Sequence, residues 1–407
     1  MLLLTVIIFA VFCNVYLFRK NVNIGAIMLL NSLLVALYNR MPFSLMISTA
    51  FKAALSEKTL ELIFILIAIM IIENIMRTSG MIVKMAQSLR VFIKNGLFSA
   101  IMLSAALGLL PSPGGARFSC PIVEEVTGDG LSNLNKAYIN YWFRHVWLDG
   151  FILYPGVILA AKLLNVPVGR LFFHLLIFIF VYAVSGILIL GEKGEEKNKS
   201  IRVENNGRKK TALKDIAFSL SPVILMIGLY LLLVNRFEYA LDISAVATII
   251  YLIFLNRLNF KEFKRVIKES LNLNYVVLII GVMVFKDFLT VSGAVESFSR
   301  TVIYYKIPKE LLFILIPLIS NFFFGVTVSF VSLAFPILIP LGLNQNLWHA
   351  ACAFAAGFIG GMITPVHLCS VMSAEYFNVS IERLLKKVMV SSFAVIITII
   401  IVLILSQ

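Results

Sequence analysis

The chain has 407 residues, of which 60% are hydrophobic and 14% are charged, and its mean hydropathy is +0.97. This composition excludes an ordinary water-soluble domain. The apolar residues form runs such as 171–191 and 390–406, and a helix of ~20 residues crosses the ~30 Å of hydrocarbon in a bilayer. The sequence therefore predicts an all-α polytopic protein embedded in the lipid bilayer.

The net charge of +14 does not predict nucleic-acid binding, because the basic residues lie at the ends of apolar runs, where they orient membrane helices. The polar stretch 192–215 is predicted to be a cytoplasmic linker between two halves, 1–191 and 216–407. With that loop inside, the charges fit ~10 spanning helices plus two re-entrant hairpins, over 97–127 and 310–342. The predicted location is the cytoplasmic membrane, crossed many times.

The two halves share landmarks in the same order. By the charge distribution, the first half enters the membrane on the side where the second leaves it. An inverted repeat of this kind is typical of secondary transporters. The matched landmarks are 69–80 with 282–293, Pro121 with Pro336, and Pro155 with Pro365, at offsets of 213, 215 and 210.

Prolines and glycines interrupt the apolar runs of both halves. Non-helical backbone at membrane depth survives only where it is buried in protein or lines a cavity, and the freed half-helix ends can bind ions. In the first hairpin, Arg117 could bind a carboxylate through two parallel hydrogen bonds. The alternative is a turn at the membrane surface, with Arg117 reaching water. The candidate substrate-binding residues here are Ser112, Pro113, Gly114, Gly115, Arg117 and Ser119.

The second hairpin is predicted to turn within the sequence NFFFGVTVS. Thr327 and Ser329 are candidate substrate-binding residues, and Asn321 and Gly325 are candidates for ion coupling. Small polar residues suit Na⁺ and carboxylate alike. The alternative is that they only allow close helix packing.

Each half also carries a broken helix, predicted over 137–161 and 348–372. Ionisable residues inside a membrane are costly and mark functional sites, although Arg144 and Asp149 could instead form a structural ion pair. The histidines suit proton-linked roles or packing hydrogen bonds. The substrate-binding candidates are Asn140, Arg144, His145, Thr364, Pro365 and His367, and the ion-coupling candidates are Asp149 and Tyr154.

The stretches PSPGGARFSCPIVEE, NKAYINYWFRHVW, LYPG and GMITPVHLCSVMSAEYF resemble the motifs of the integral membrane family called domain-of-unknown-function family 401. That family is grouped with the ion transporter superfamily, which includes gluconate permeases, citrate transporters and sodium-coupled dicarboxylate carriers. The resemblance implies a homodimer with scaffold and transport domains and an elevator mechanism. The dicarboxylate carriers have Ser-Asn-Thr at their hairpin tips, whereas this chain has Ser112-Pro113-Gly114 and Thr327-Val328-Ser329.

These features predict a secondary active transporter that moves a small organic anion, a carboxylate, coupled to Na⁺ or H⁺. No cofactor or metal is expected beyond the coupling ion. A passive channel or facilitator is the first alternative. An intramembrane enzyme is the second, but neither HExxH nor GxSxG occurs.

Overall fold

The computed structural model describes residues 16–17, 20, 22–89, 91, 95–109, 116–148, 150–190, 206–271 and 273–406. All regular secondary structure in these ranges is helical, which confirms the predicted all-α class. The first half contains α1 (Ile24–Tyr38), α2 (Phe43–Ala54), α3 (Glu57–Thr78), α4 (Met81–Leu89), α5 (Gly96–Leu107), α6 (Ala116–Thr127), α7 (Asn133–Arg144), α8 (Pro155–Leu164) and α9 (Val168–Leu190).

The second half contains α10 (Asn206–Leu233), α11 (Ala240–Leu255), α12 (Phe260–Ser270), α13 (Leu273–Val291), α14 (Ala294–Tyr304), α15 (Lys309–Phe324), α16 (Thr327–Leu338), α17 (Leu347–Met362), α18 (Leu368–Tyr376) and α19 (Ile381–Leu405). The elements from α13 to α19 follow the same order as those from α3 to α9. In each series a long helix is followed by a short one, a pair of short helices, an interrupted helix and a second long helix.

The paired short helices lie where hairpins were predicted. α5 packs on α6, and α15 packs on α16. The turn between α15 and α16 consists only of Gly325 and Val326, and Gly325 adopts a left-handed φ of 64°. α5, α6 and α16 each have 12 residues and rise about 18 Å, well short of the ~30 Å hydrocarbon core.

The two interrupted helices have local causes for their breaks. α7 ends at Arg144, Leu148 takes a left-handed φ of 52°, and Pro155 occupies the first turn of α8, where its missing N–H leaves no hydrogen bond unmade. Between α17 and α18, Pro365 forces the residue before it out of the helical region. A helix therefore ends and another begins within each of the ranges 137–161 and 348–372, over which the sequence predicts broken helices.

The helices form two groups, each packed chiefly within itself. The frame group is α1–α4 and α10–α14, and the site group is α5–α9 and α15–α19. The groups meet chiefly along α3–α8, α13–α16 and α4–α5. At the first of these contacts Lys162 on α8 forms an ion pair with Glu61 on α3.

The discontinuous helices lie at the centre of the site group. Every residue of α7 from Asn135 to Arg144 is buried, and so is every residue of α17 from His349 to Met362. α7 is buried although its sequence, NLNKAYINYWFR, is rich in polar side chains. Burying such groups costs free energy unless they find partners, so the position of α7 demands a specific polar environment.

Several helices present apolar side chains outward. Phe173, Phe180 and Leu188 on α9 are exposed, as are Ile404 and Leu405 on α19. Such faces fit a lipid environment. Among the described residues, five helices are long and apolar enough to cross a membrane. The number is six if α14 and α15, between which the chain bends by 120°, count as one span. The total of about ten spanning helices remains a prediction.

The polar stretch 192–215 is described only from residue 206 onward, where it forms the first turns of α10. Lys84 on α4 pairs with Asp215 there at 2.8 Å. This ion pair joins a basic segment of the first half to the helix that opens the second half.

The closest backbone approach in the frame group joins α1 and α13. A Cβ atom at Gly281 would lie 2.2 Å from the backbone oxygen of Gly25, whereas one at Gly228 on α10 would meet nothing within 4 Å. We therefore expect Gly281→Ala to destabilise the protein by about 1–3 kcal/mol through overpacking and Gly228→Ala to have little effect. Melting temperatures of the purified variants in detergent measure this, and equal melting of the two would contradict it.

Candidate functional site

One face of α7 contacts α18 of the other half. Asn140 donates from Nδ2 to Ser373 Oγ at 2.8 Å and to Cys120 Sγ at 3.0 Å. One turn later, Arg144 Nη1 lies 4.0 Å from Cys369 Sγ. Arg144 is 5% exposed, so a positively charged side chain is enclosed between two discontinuous helices.

The adjacent face of α7 contacts the break between α17 and α18. Tyr141 donates from its hydroxyl to the Met362 carbonyl at 3.0 Å, which provides a partner for a carbonyl at the end of α17. The ring of Tyr141 lies 5.3 Å from that of His145 and 5.4 Å from that of His367. The two histidine rings are 4.9 Å apart. The breaks of the two halves thus meet at His145 and His367.

Both histidines are oriented by backbone carbonyls. His145 Nδ1 lies 2.7 Å from the Tyr141 oxygen, and His367 Nδ1 lies 3.1 Å from the Gly361 oxygen. Because a carbonyl can only accept, each Nδ1 carries the hydrogen in these contacts. The Nε2 atom of each neutral ring then carries the lone pair.

The N-termini of three helices converge beside this pair. A Cβ at Gly325 would lie 3.3 Å from the backbone nitrogen of His367, which precedes α18, and a Cβ at Gly156 on α8 would lie 2.6 Å from Cγ2 of Thr327, the first residue of α16. α8, α16 and α18 therefore begin close to one another. Helix N-termini carry partial positive charge and unsatisfied N–H groups, which favour anions.

The first hairpin approaches the end of α7. A Cβ at Gly108 would lie 1.8 Å from the Arg144 carbonyl oxygen, so only glycine fits there, and Tyr154 donates its hydroxyl hydrogen to the Gly108 carbonyl. Ser119 is buried in the first turns of α6 and donates to the Ala116 carbonyl at 3.3 Å. Among the sequence-predicted residues, Tyr154 thus joins hairpin and break, whereas the Ser119 hydroxyl hydrogen-bonds within its own helix.

Some buried polar atoms near these elements make no hydrogen bond within the described part of the chain. They are Ser329 Oγ and the Oδ1 atoms of Asn140 and Asn321. Buried groups of this kind each cost about 1–3 kcal/mol, and in native proteins they call for a bound ion, water or ligand. The side chain of Asn321 also donates to the Gly357 carbonyl at 2.8 Å. This contact between two helices fits the alternative role in helix packing.

The remaining candidate residues lie either at the break between α17 and α18 or outside the described part of the chain. Thr364 is buried, and its hydroxyl accepts from the Val366 N–H at 3.3 Å, which shapes the break, whereas Pro365 is exposed. The residues Ser112, Pro113, Gly114, Gly115 and Asp149 and the side chain of Arg117 lie outside the described part of the chain.

Sequence reasoning did not assign a role to Tyr141, Ser373 or Cys369. The spacing His367-x-Cys369 could have drawn attention to the thiol, since Cys369 follows the break directly. Nothing in the sequence shows that Cys369 lies opposite Arg144, because 225 positions separate the two residues.

The structure was compared with known proteins. It resembles the crystal structure of the Alcanivorax borkumensis YdaH transporter, described as having an unusual topology, with a TM-score of 0.60, 16% sequence identity, and coverage of 88% of this chain and 86% of the other. At this identity the likeness shows a shared fold. No curated protein matches the chain. The model of the family described as protein of unknown function (DUF401) matches residues 2–406, and the chain belongs to that family.

Proposed function

We propose that this protein is a secondary active transporter that moves a small organic anion, a carboxylate, across the cytoplasmic membrane, coupled to Na⁺ or H⁺. The observation that carries the proposal is the convergence of three helix N-termini with the buried Arg144 where the two broken helices meet. The transporter fold of the structural neighbour supports it.

The charge distribution favours an anion. The N-termini of α8, α16 and α18 direct partial positive charge into one region, and Arg144 adds a full positive charge with a fork geometry that matches a carboxylate. The buried hydroxyl of Ser329 can donate to another oxygen atom of the solute, whereas Asn140 Oδ1 is an acceptor and suits an O–H or N–H group of the solute. This positive potential attracts an anion and repels a cation.

The coupling ion is proposed to bind nearby. Ser329 and Asn321 each have a buried oxygen atom without a hydrogen bond in the described chain, and oxygen donors suit a hard cation such as Na⁺. His145 and His367 offer an alternative in which protons are coupled, since imidazole changes charge near neutral pH.

The proposed mechanism is alternating access of the elevator type. The site group would slide as a unit against the frame group, because the described candidate residues lie within the site group and chiefly three helix contacts join it to the frame. The repeated order of elements supports the proposed inverted repeat. By the resemblance of the family, the working unit is proposed to be a homodimer.

The direct test is uptake by the purified protein in liposomes. A thermal-shift screen of small carboxylates and amino acids, with and without Na⁺, first identifies a stabilising solute. We expect its uptake to depend on an imposed Na⁺ or H⁺ gradient and to stop when an ionophore collapses that gradient. Uptake that continues at the same rate without any gradient would identify a passive facilitator instead.

The tip of the second hairpin provides a matched pair of variants. Gly325 and Gly80 both have left-handed φ angles, 64° and 74°, so alanine is strained at either position by about 1–3 kcal/mol. A Cβ at Gly80 would meet nothing within 4 Å, whereas at Gly325 it would press on His367. We expect Gly325→Ala to abolish uptake and Gly80→Ala to retain it, at similar melting temperatures. Full uptake by Gly325→Ala would show that the tip of the second hairpin is not part of the solute site.

Arg144 is expected to set the affinity for the carboxylate. Loss of a charged hydrogen-bonding partner costs about 1.5–3 kcal/mol, so Arg144→Gln should weaken solute binding roughly ten- to a hundred-fold. The exposed Arg236 provides the control, and Arg236→Gln should bind like wild type. Calorimetric titration of the folded variants measures the difference, and unchanged affinity in Arg144→Gln would assign Arg144 a structural role.

A further inference from the structure

The side chains of His145, His367 and Cys369 form a cluster with the donor chemistry of a metal site. One ligand atom from each residue can be chosen so that all three lie within 4.8 Å of one another. His145 and Cys369 are buried and His367 is half-buried. Cys369 forms no disulfide with the other cysteines that the structure describes.

The contacts around the histidines match those of ligating imidazoles. A metal-bound histidine almost always donates its other ring N–H to a carbonyl or carboxylate, which fixes the tautomer and aims the lone pair at the ion. His145 makes this contact with the Tyr141 carbonyl and His367 makes it with the Gly361 carbonyl. Each break therefore holds an imidazole whose Nδ1 contacts a carbonyl, which leaves Nε2 as the atom available to a metal ion.

We infer that His145, His367 and Cys369 bind a Zn²⁺ ion that bridges the two broken helices. Two imidazoles and one thiolate are the nitrogen and sulfur ligands that Zn²⁺ prefers. Tetrahedral Zn–N and Zn–S bonds of about 2.0–2.3 Å place the ligand atoms about 3.3–3.6 Å apart, so the three atoms, which now lie within 4.8 Å of one another, must move closer when the ion binds. The fourth coordination position remains for water or an anionic ligand.

Arg144 is compatible with this site although it is a cation. Its Nη1 atom lies 4.0 Å from Cys369 Sγ, and a neighbouring positive charge stabilises a thiolate, the form of cysteine that binds metals. The test is independent of the proposed transport activity, because metal binding can be measured on the purified protein without any solute gradient.

Co²⁺ serves as the spectroscopic probe for the Zn²⁺ site. The full-length protein is freed of metal with a chelator and titrated with Co²⁺, and we expect one ion per chain with a thiolate-to-cobalt charge-transfer band that Zn²⁺ abolishes. Cys369→Ser should remove the band and lower Zn²⁺ affinity at least tenfold. Cys352→Ser is the control, because Cys352 is buried on α17 and contacts the Ile399 carbonyl instead.

The histidines give a second, independent set of variants. His145→Gln and His367→Gln should each lower Zn²⁺ affinity at least tenfold, whereas His174→Gln, at a half-buried position on α9 outside the cluster, should not. If the melting temperature shows that Cys369→Ser does not fold, these histidine variants test whether the cluster binds Zn²⁺. The inference is overturned if the wild type shows no thiolate band, if the band survives Cys369→Ser, or if the histidine variants keep full affinity.

Discussion

The need to satisfy backbone hydrogen bonds away from water governs this structure. A helix that stops inside a bilayer leaves N–H and C=O groups that each cost several kcal/mol if they stay bare in lipid. Here the groups near the breaks find partners from distant parts of the chain. Tyr141 supplies a hydroxyl to the Met362 carbonyl, and Tyr154 supplies one to the Gly108 carbonyl. The interruption of one helix therefore depends on side chains of others.

This dependence explains why the polar helix α7 lies at the centre rather than at the surface. Asn140 and Arg144 on α7 contact α18, and Tyr141 contacts the end of α17. Each half holds the broken helix of the other in place. The same arrangement concentrates helix N-termini and a guanidinium in a small buried region, which is the electrostatic basis of the proposed anion site.

The sequence predicted the features whose causes are local. The glycine and proline positions identified the interruptions near residues 145–154 and 363–367 and the turn at Gly325, because these residues act through their own backbone. Contacts between the halves could not be predicted. The pairing of His145 with His367 and of Arg144 with Cys369 depends on how the halves dock, and a single sequence carries no signal for this. The alternative ion pair between Arg144 and Asp149 stays a prediction, because Asp149 lies outside the described residues.

The ion pair between Glu61 and Lys162 links the proposed moving group to its frame. The pair is present in the arrangement seen here, so in the proposed elevator movement its coupling energy stabilises this arrangement over any that separates Glu61 from Lys162. A ligand must overcome that difference before the population shifts. Under the proposed elevator mechanism, the distribution of the protein between its two arrangements therefore depends in part on two charged residues that lie outside the solute site. The attraction between Glu61 and Lys162 also weakens as ionic strength rises, because the Lys162 side chain is 26% exposed and salt screens exposed charges.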